Sequence, residues 1–172
     1  MQNYGSQSLM IGFNSVINSQ IINFANMHIP HECQNDPDAG SGIVTHPHIS
    51  LLTDIELVFP QSDLTNIIKK IPSFKVEFGA LSFFKNDKVD VIKIDIISQP
   101  LLDIHYELKS IIPNHYKFDE YHPHCTLAFV KPNSCDFILQ HSNYFRGMTL
   151  VVEWINFNSA RGLSHSIKIN QK

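Results

Sequence analysis

A chain of 172 residues, 43% hydrophobic and 17% charged, has the composition of an ordinary folded domain and falls outside the disordered class. Its formal net charge of −3 lacks the basic excess that holds long nucleic acid non-specifically; a small nucleotide, which needs only a few local donors, remains compatible. Three cysteines, 33, 125 and 135, with no Cys-x-x-Cys spacing, fit a reducing cytoplasm rather than a disulfide framework. Without a basic leader or an apolar run of about 18 residues, neither export nor a membrane span is expected.

Residues 8–13 read as a first strand, and 15–28 as a helix on Val16, Ile17, Ile21, Phe24 and Ala25 near helical spacing. Residues 30–42 form a polar loop rich in Pro, Asp and Gly turn chemistry; it is either a rim or lid over the adjoining strand, or a simple connector. That strand is expected over 43–54. An amphipathic helix comes next over 61–71, with Leu64, Ile67, Ile68 and Ile71 on one stripe and Ser62 or Asp63 as its cap. Strands over about 74–84 and 88–97 join through Lys85-Asn86-Asp87, a hairpin signal. A second helix spans 101–112 with proline at its start. A strand over 123–130, a short helix near 133–141, and strands over about 147–157 and 163–169 complete the chain. The last two turn through Ser159-Ala160-Arg161-Gly162.

Two of these strands carry the same phrase. His46-Pro47-His48-Ile49-Ser50-Leu51 recurs, slightly edited, as His122-Pro123-His124-Cys125-Thr126-Leu127. In a strand, residues i and i+2 share a face, so His48 projects with Ser50, and His124 with Thr126. Ile49 and Leu51, or Cys125 and Leu127, take the other face, where Cys125 has a packing role. Each proline is a rigid lead-in that sits where a strand begins without losing a needed N–H. Imidazole exchanges protons near neutral pH, and a hydroxyl donates to a phosphoryl oxygen as charge builds there. Two such pairs facing each other suit phosphate chemistry without a metal. Two readings compete: ordinary strands with satisfied histidines, and a zinc site built from His46, His48, His122 and His124. Against the metal stand the prolines, the lack of a carboxylate in either motif and the idle hydroxyls. His46 and His122 are read as structural or rim residues, and histidines 28, 31, 105, 115, 141 and 165 as surface or helix-end residues.

The doubled motif resembles the 2H phosphoesterase superfamily, named for two His-x-Thr/Ser motifs. The likeness is carried by Thr45-His46-Pro47-His48-Ile49-Ser50-Leu51-Leu52 and by 121–131, with 74–79, 83–87 and 90–95 between them, and covers about 43–170. Ser50 stands where many members carry Thr, which keeps the hydroxyl. Within that superfamily, Phe83 to Ile96 and Tyr121 to Lys131 look most like a phage-encoded anti-CBASS group that cleaves cyclic di- and trinucleotide immune signals. The resemblance implies an α+β, two-lobed, pseudo-symmetric LigT-like fold, with antiparallel sheets lining a central groove and helices outside, as a single domain over 1–172. It implies His48 and His124 as catalytic residues, Ser50 and Thr126 as phosphate-binding residues, and no metal or other cofactor. It implies a metal-independent phosphodiesterase acting on 3′–5′ linkages of a cyclic oligonucleotide or other small nucleotide, in the host cytoplasm if phage-encoded, with no membrane or protein partner evident. The alternatives are a 2′,3′-cyclic or 2′–5′ oligonucleotide phosphodiesterase, and a non-hydrolytic nucleotide sponge. Further candidates for nucleotide contact are Tyr121, which flanks the second motif, Trp154, by stacking on a base or else as a core residue, Glu153 at a base edge, and Lys131 and Arg146 at phosphate or else as solvated charges.

Overall fold

The computed structural model describes residues 7–36, 41–56, 59–158 and 164–170. Eight strands form one antiparallel sheet: β1 (Gln7–Gly12), β2 (His48–Ile55), β3 (Phe74–Phe84), β4 (Asp90–Ile97), β5 (His124–Val130), β6 (Thr149–Val152), β7 (Trp154–Asn158) and β8 (Ser164–Lys168). Three α-helices accompany them: α1 (Ser15–His28), α2 (Gln61–Ile68) and α3 (Gln99–Ile111). The strand order β6-β3-β4-β5-β2-β1-β7-β8 has the expected pseudo-symmetry. Each half runs outward from a motif strand through the strand that a helix connects to it. The expected sheets are joined into one at β5 and β2, which meet at a single register pair, Ile49 opposite Cys125.

The helices cross the join. α1, which connects β1 to β2, packs on β5, and α3, which connects β4 to β5, packs on β2 and β3. α1 has the predicted bounds, capped by Asn14, whose side chain accepts from the Ile17 N–H at 2.9 Å. It buries Ile17, Ile21, Phe24 and Ala25 but leaves Val16 exposed. α3 starts earlier than predicted because Ser98 caps it, accepting from the Leu101 N–H, with Pro100 in the first turn. α2 ends at Ile68, short of the prediction, and neither Ser62 nor Asp63 caps it: the helix begins at Gln61, so both lie inside its first turn. Ile71 is buried beyond the helix end.

The predicted strand over 147–157 is two strands. β6 pairs with β3 at one end of the sheet, while β7 pairs with β1 near the other. Only Glu153 separates them, so the two regions lie within about 7 Å along the chain. At the same corner, Asn170 bridges Pro72, and the Ser73 N–H donates to its carbonyl at 2.8 Å. A flat sheet cannot bring its ends together; this one is curled. Both motif strands also carry a bulge at the same point. Leu9 faces Leu52 while Met10 faces Ser50, and Ile92 faces Ala128 while Lys93 faces Thr126. The extra residues are Leu51 and Leu127, each next after the motif hydroxyl. A bulge resets the two-residue alternation, so Leu51 and Leu52, like Leu127 and Ala128, are all fully buried.

The loop over 30–42 is described except for 37–40. Its flanks dock on β5: the Asn35 N–H donates to Phe129 O at 3.0 Å, and the Val44 N–H to Leu127 O at 2.8 Å. No helix among the described residues is long and apolar enough to cross a membrane.

Candidate active site

Ile49 and Cys125, opposite one another and fully buried, face the apolar side of the β2–β5 join. Antiparallel register then sets His48 across from Thr126 and Ser50 across from His124, all four on the other face. The two histidines are diagonal neighbours, about 7–8 Å apart in a regular ladder. All four side chains are half-buried.

Each motif histidine is oriented by its own lead-in. His48 Nδ1 lies 2.9 Å from His46 O, and His124 Nδ1 lies 2.6 Å from His122 O. A carbonyl only accepts, so Nδ1 is the donor and Nε2 is the nitrogen left for proton exchange. The intervening proline, with φ restrained near −65°, holds that carbonyl in place. His46 and His122 are exposed, so the first histidine of each copy contributes its backbone. Among the described residues, no three His, Cys, Asp or Glu side chains are grouped to hold a metal ion.

The sheet continues the face in both directions. Toward β4, Asp95 pairs with His124 and Lys93 with Thr126, and Ser82 on β3 pairs with Lys93. Lys93 is only 7% exposed. Its ammonium donates to Ser82 Oγ at 2.6 Å, pairs with Asp95, and lies 4.5 Å over the Phe84 ring. Phe84 in turn meets His124 edge-on at 4.9 Å. Burial, helped by the charges of Lys93 and His48 and opposed by the His122 carbonyl and Asp95, holds the His124 imidazole below the ordinary histidine value. Sequence reasoning missed Ser82, Phe84, Lys93 and Asp95. Their one sequence signal is two charges alternating with Ile92, Ile94 and Ile96; that these meet the second motif depends on register.

Tyr121 sits inside the packing. Its ring stacks on His105 at 3.8 Å and 11°, and its hydroxyl donates to Ser50 O at 2.7 Å. With one face covered and the residue 7% exposed, it leaves no surface for a base. His105, expected at the surface, is fully buried on α3, and its Nδ1 donates to Leu51 O at 2.7 Å. Two side chains thus satisfy consecutive carbonyls at the first bulge, where the ladder is broken; at the second bulge, Val44 supplies the equivalent bond from its backbone. Tyr121→Phe should destabilise the fold by about 1–3 kcal/mol, the cost of orphaning a buried acceptor, read by urea unfolding. It should also lower turnover through Ser50; unaltered stability and turnover would make the bond incidental.

Trp154 is 47% exposed and shares a strand face with Asn156 and Asn158, with Lys168 Nζ 5.6 Å from its ring centre, so it is not a core residue. Glu153 links β6 to β7, and its carbonyl accepts from the Ile169 N–H at 3.0 Å. Lys131 donates to Glu32 O at 2.8 Å, tying the 31–33 turn to the end of β5, and Arg146 is exposed and bonded to Asn143 at 3.2 Å. Burial pushes the Cys125 thiol up to about 12, as befits a packing cysteine.

Two clefts meet at the first motif. One of about 620 Å³ includes Asn26, His31, Gln34, Ile43 and Phe129. One of about 750 Å³ includes Met10, Gly12, Asn18, Asn156 and Asn158. Both include His46 and His48.

A family model described as the 2′-5′ RNA ligase superfamily matches residues 34–155. The chain belongs to that superfamily. Its members, the 2H phosphoesterases, are phosphodiesterases. The fold agrees with solved structures at low identity. E. coli LigT complexed with 3′-AMP superposes at a TM-score of 0.64 with 15% identity, covering 96% of this chain and 95% of that one. TT0787 of Thermus thermophilus gives 0.64 with 13% identity, covering 95% of each chain. A structure described only as a phosphoesterase gives 0.58 with 14% identity and 96% of each chain. LigT has also been crystallised with NADP+ and with ATP. No curated protein matches the chain.

Proposed function

We propose that this 2H phosphoesterase cleaves 3′–5′ linkages of cyclic oligonucleotide second messengers, cyclic di- and trinucleotides, without a metal, and that a phage uses it against CBASS immunity in the host cytoplasm. The observation that carries the chemistry is the placement of His48, Ser50, His124 and Thr126 on one face across a single strand join. The substrate class rests on the phrasing of 83–96 and 121–131. In this reading, neutral His124 Nε2 takes the proton of a ribose 2′-OH, and the 2′ oxygen bonds to phosphorus. The bond from phosphorus to the 5′ oxygen breaks, and His48 protonates that oxygen. Ser50 and Thr126 donate to the non-bridging oxygens, and buried Lys93 adds positive charge beside Thr126. The product is a 2′,3′-cyclic phosphate, which water opens in a second pass with the proton roles exchanged. Each positioned acid or base is worth roughly 10²–10⁴-fold in rate.

The second reading, hydrolysis of 2′,3′-cyclic phosphates or 2′–5′ oligonucleotides, is favoured by the superfamily's description and by LigT's complex with 3′-AMP. Incubation with cyclic di- and trinucleotides, 2′,3′-cyclic mononucleotides and 2′–5′ oligoadenylate, with products resolved by mass spectrometry, separates the two. The first reading expects linearised cyclic oligonucleotide, formed equally well in EDTA. Cleavage confined to the other substrates would establish the second, and loss on chelation with rescue by zinc would revive the metal. A sponge would return every ligand intact from stoichiometric protein.

A further inference from the structure

The two wings flanking the motif join differ in chemistry. The β4 wing carries the Lys93–Asp95 pair, whereas the β1–β7–β8 wing presents amides and hydroxyls together with Trp154 and Lys168. On β7, Ile155 and Phe157 are buried, so Asn156 and Asn158 take the opposite face. Asn156 pairs with Met10 on β1 and Ser166 on β8; Asn158 pairs with Ser8 and Ser164. The two amides are oriented. Ser166 Oγ donates to Asn156 Oδ1 at 2.7 Å, which frees the Asn156 NH₂ group. That nitrogen passes directly over Gly12: a Cβ at position 12 would lie 2.8 Å from it. Gly12 is the register partner of His48, so the amide donor stands next to the first motif. Asn158 Nδ2 approaches Met10 Sδ at 3.0 Å, which leaves its Oδ1 as an acceptor. Both asparagines line the 750 Å³ cleft with His48.

We propose that Asn156 and Asn158 form a nucleobase-reading subsite, beside His48 and apart from the phosphate-handling join. The inference rests on the phosphodiesterase reading and deepens it by placing one base of the substrate on the β7 side. A donor from Asn156 and an acceptor from Asn158 on one strand face complement the acceptors and donors that a base presents. Neutral amides are also less costly to desolvate than the charges of the other wing. The absence of a side chain at Gly12 gives the Asn156 amide its position.

Titration calorimetry with adenosine 3′-phosphate, guanosine 3′-phosphate and base-free ribose 3-phosphate tests this. Wild type should bind at least one nucleotide about 10–100-fold more tightly than ribose 3-phosphate, the increment of a bidentate base contact. The Asn156→Ala/Asn158→Ala double variant should bring that ratio to within about threefold, and isosteric Asn156→Asp, which exchanges donors for an acceptor, should change which base is preferred. A ratio that survives both variants, or wild type binding nucleotide and ribose 3-phosphate equally, would overturn the subsite alone. Wild type binding none of the three probes while still cleaving a phosphodiester would likewise overturn the subsite alone; absence of cleavage of every phosphodiester offered would overturn the proposed function.

Discussion

His48→Ala and His124→Ala should each lower kcat by at least 10²-fold on the cognate phosphodiester, because in the proposed mechanism each removes one of two proton-transfer groups worth roughly 3–5 kcal/mol of barrier. Both side chains are half-buried and hydrogen-bond to their own lead-in carbonyls, so thermal melts should stay near wild type. Near-normal turnover in either variant would end the two-histidine mechanism. The pH profile adds a sign. With His124 as the base, activity needs its neutral form, and burial together with Lys93 and His48 lowers its proton affinity. The acidic limb of kcat/KM should therefore fall below about 6.5, the ordinary histidine value, with activity retained above it and lost as pH drops through the lowered value. Lys93→Gln removes one of the causes that lowers that affinity, so it should move the limb upward. A limb that stays put would separate Lys93 from the base.

Ile49→Ala should have the largest effect on the fold with a direct consequence for the site. Ile49 is fully buried at the one register pair between β2 and β5. Truncating a buried Ile to Ala costs about 2–5 kcal/mol, through lost transfer energy and the cavity left behind. Here the cavity opens beneath His48 and Ser50, on the strand that must hold them against His124 and Thr126. Urea unfolding should show the loss of stability. Turnover measured well below the melting temperature should fall as well, since small displacements of positioned groups are costly. Cys125→Ala, across the same pair, removes only a sulfur and should do much less. Equal losses in both variants would mean that the join is not especially sensitive at Ile49.

Much of the site is legible in the sequence because its signal is local. Two His-x-Ser/Thr phrases, each with proline ahead, specify a shared strand face from the two-residue period alone. The side chains of His46 and His122 drop out because proline follows each and the metal reading is weak, and it is their carbonyls that meet the motif histidines. Helix α1 and strand β3 are readable to the residue because periodicity and a cap or bounding turn agree there. The rest depends on partners distant in sequence. Val151-Val152-Glu153-Trp154-Ile155 reads as one strand in isolation, yet its halves bond to β3 and β1. The choice between them is made by curl, which no local pattern encodes. His105 has no motif around it, and its burial follows from where α3 lands on the Leu51 carbonyl.

Covalent spacing alone specifies a pair of proton-exchanging groups, each with a hydroxyl on the same strand face. The groups that surround them are set by strand pairing across the fold. Register between β4 and β5 brings Lys93 and Asp95 to the second motif, and register between β1, β2 and β7 brings Asn156 and a bare Gly12 to the first. Hydrogen-bonded register is a relation between strands, so no single stretch of chain encodes either the charged wing or the amide wing.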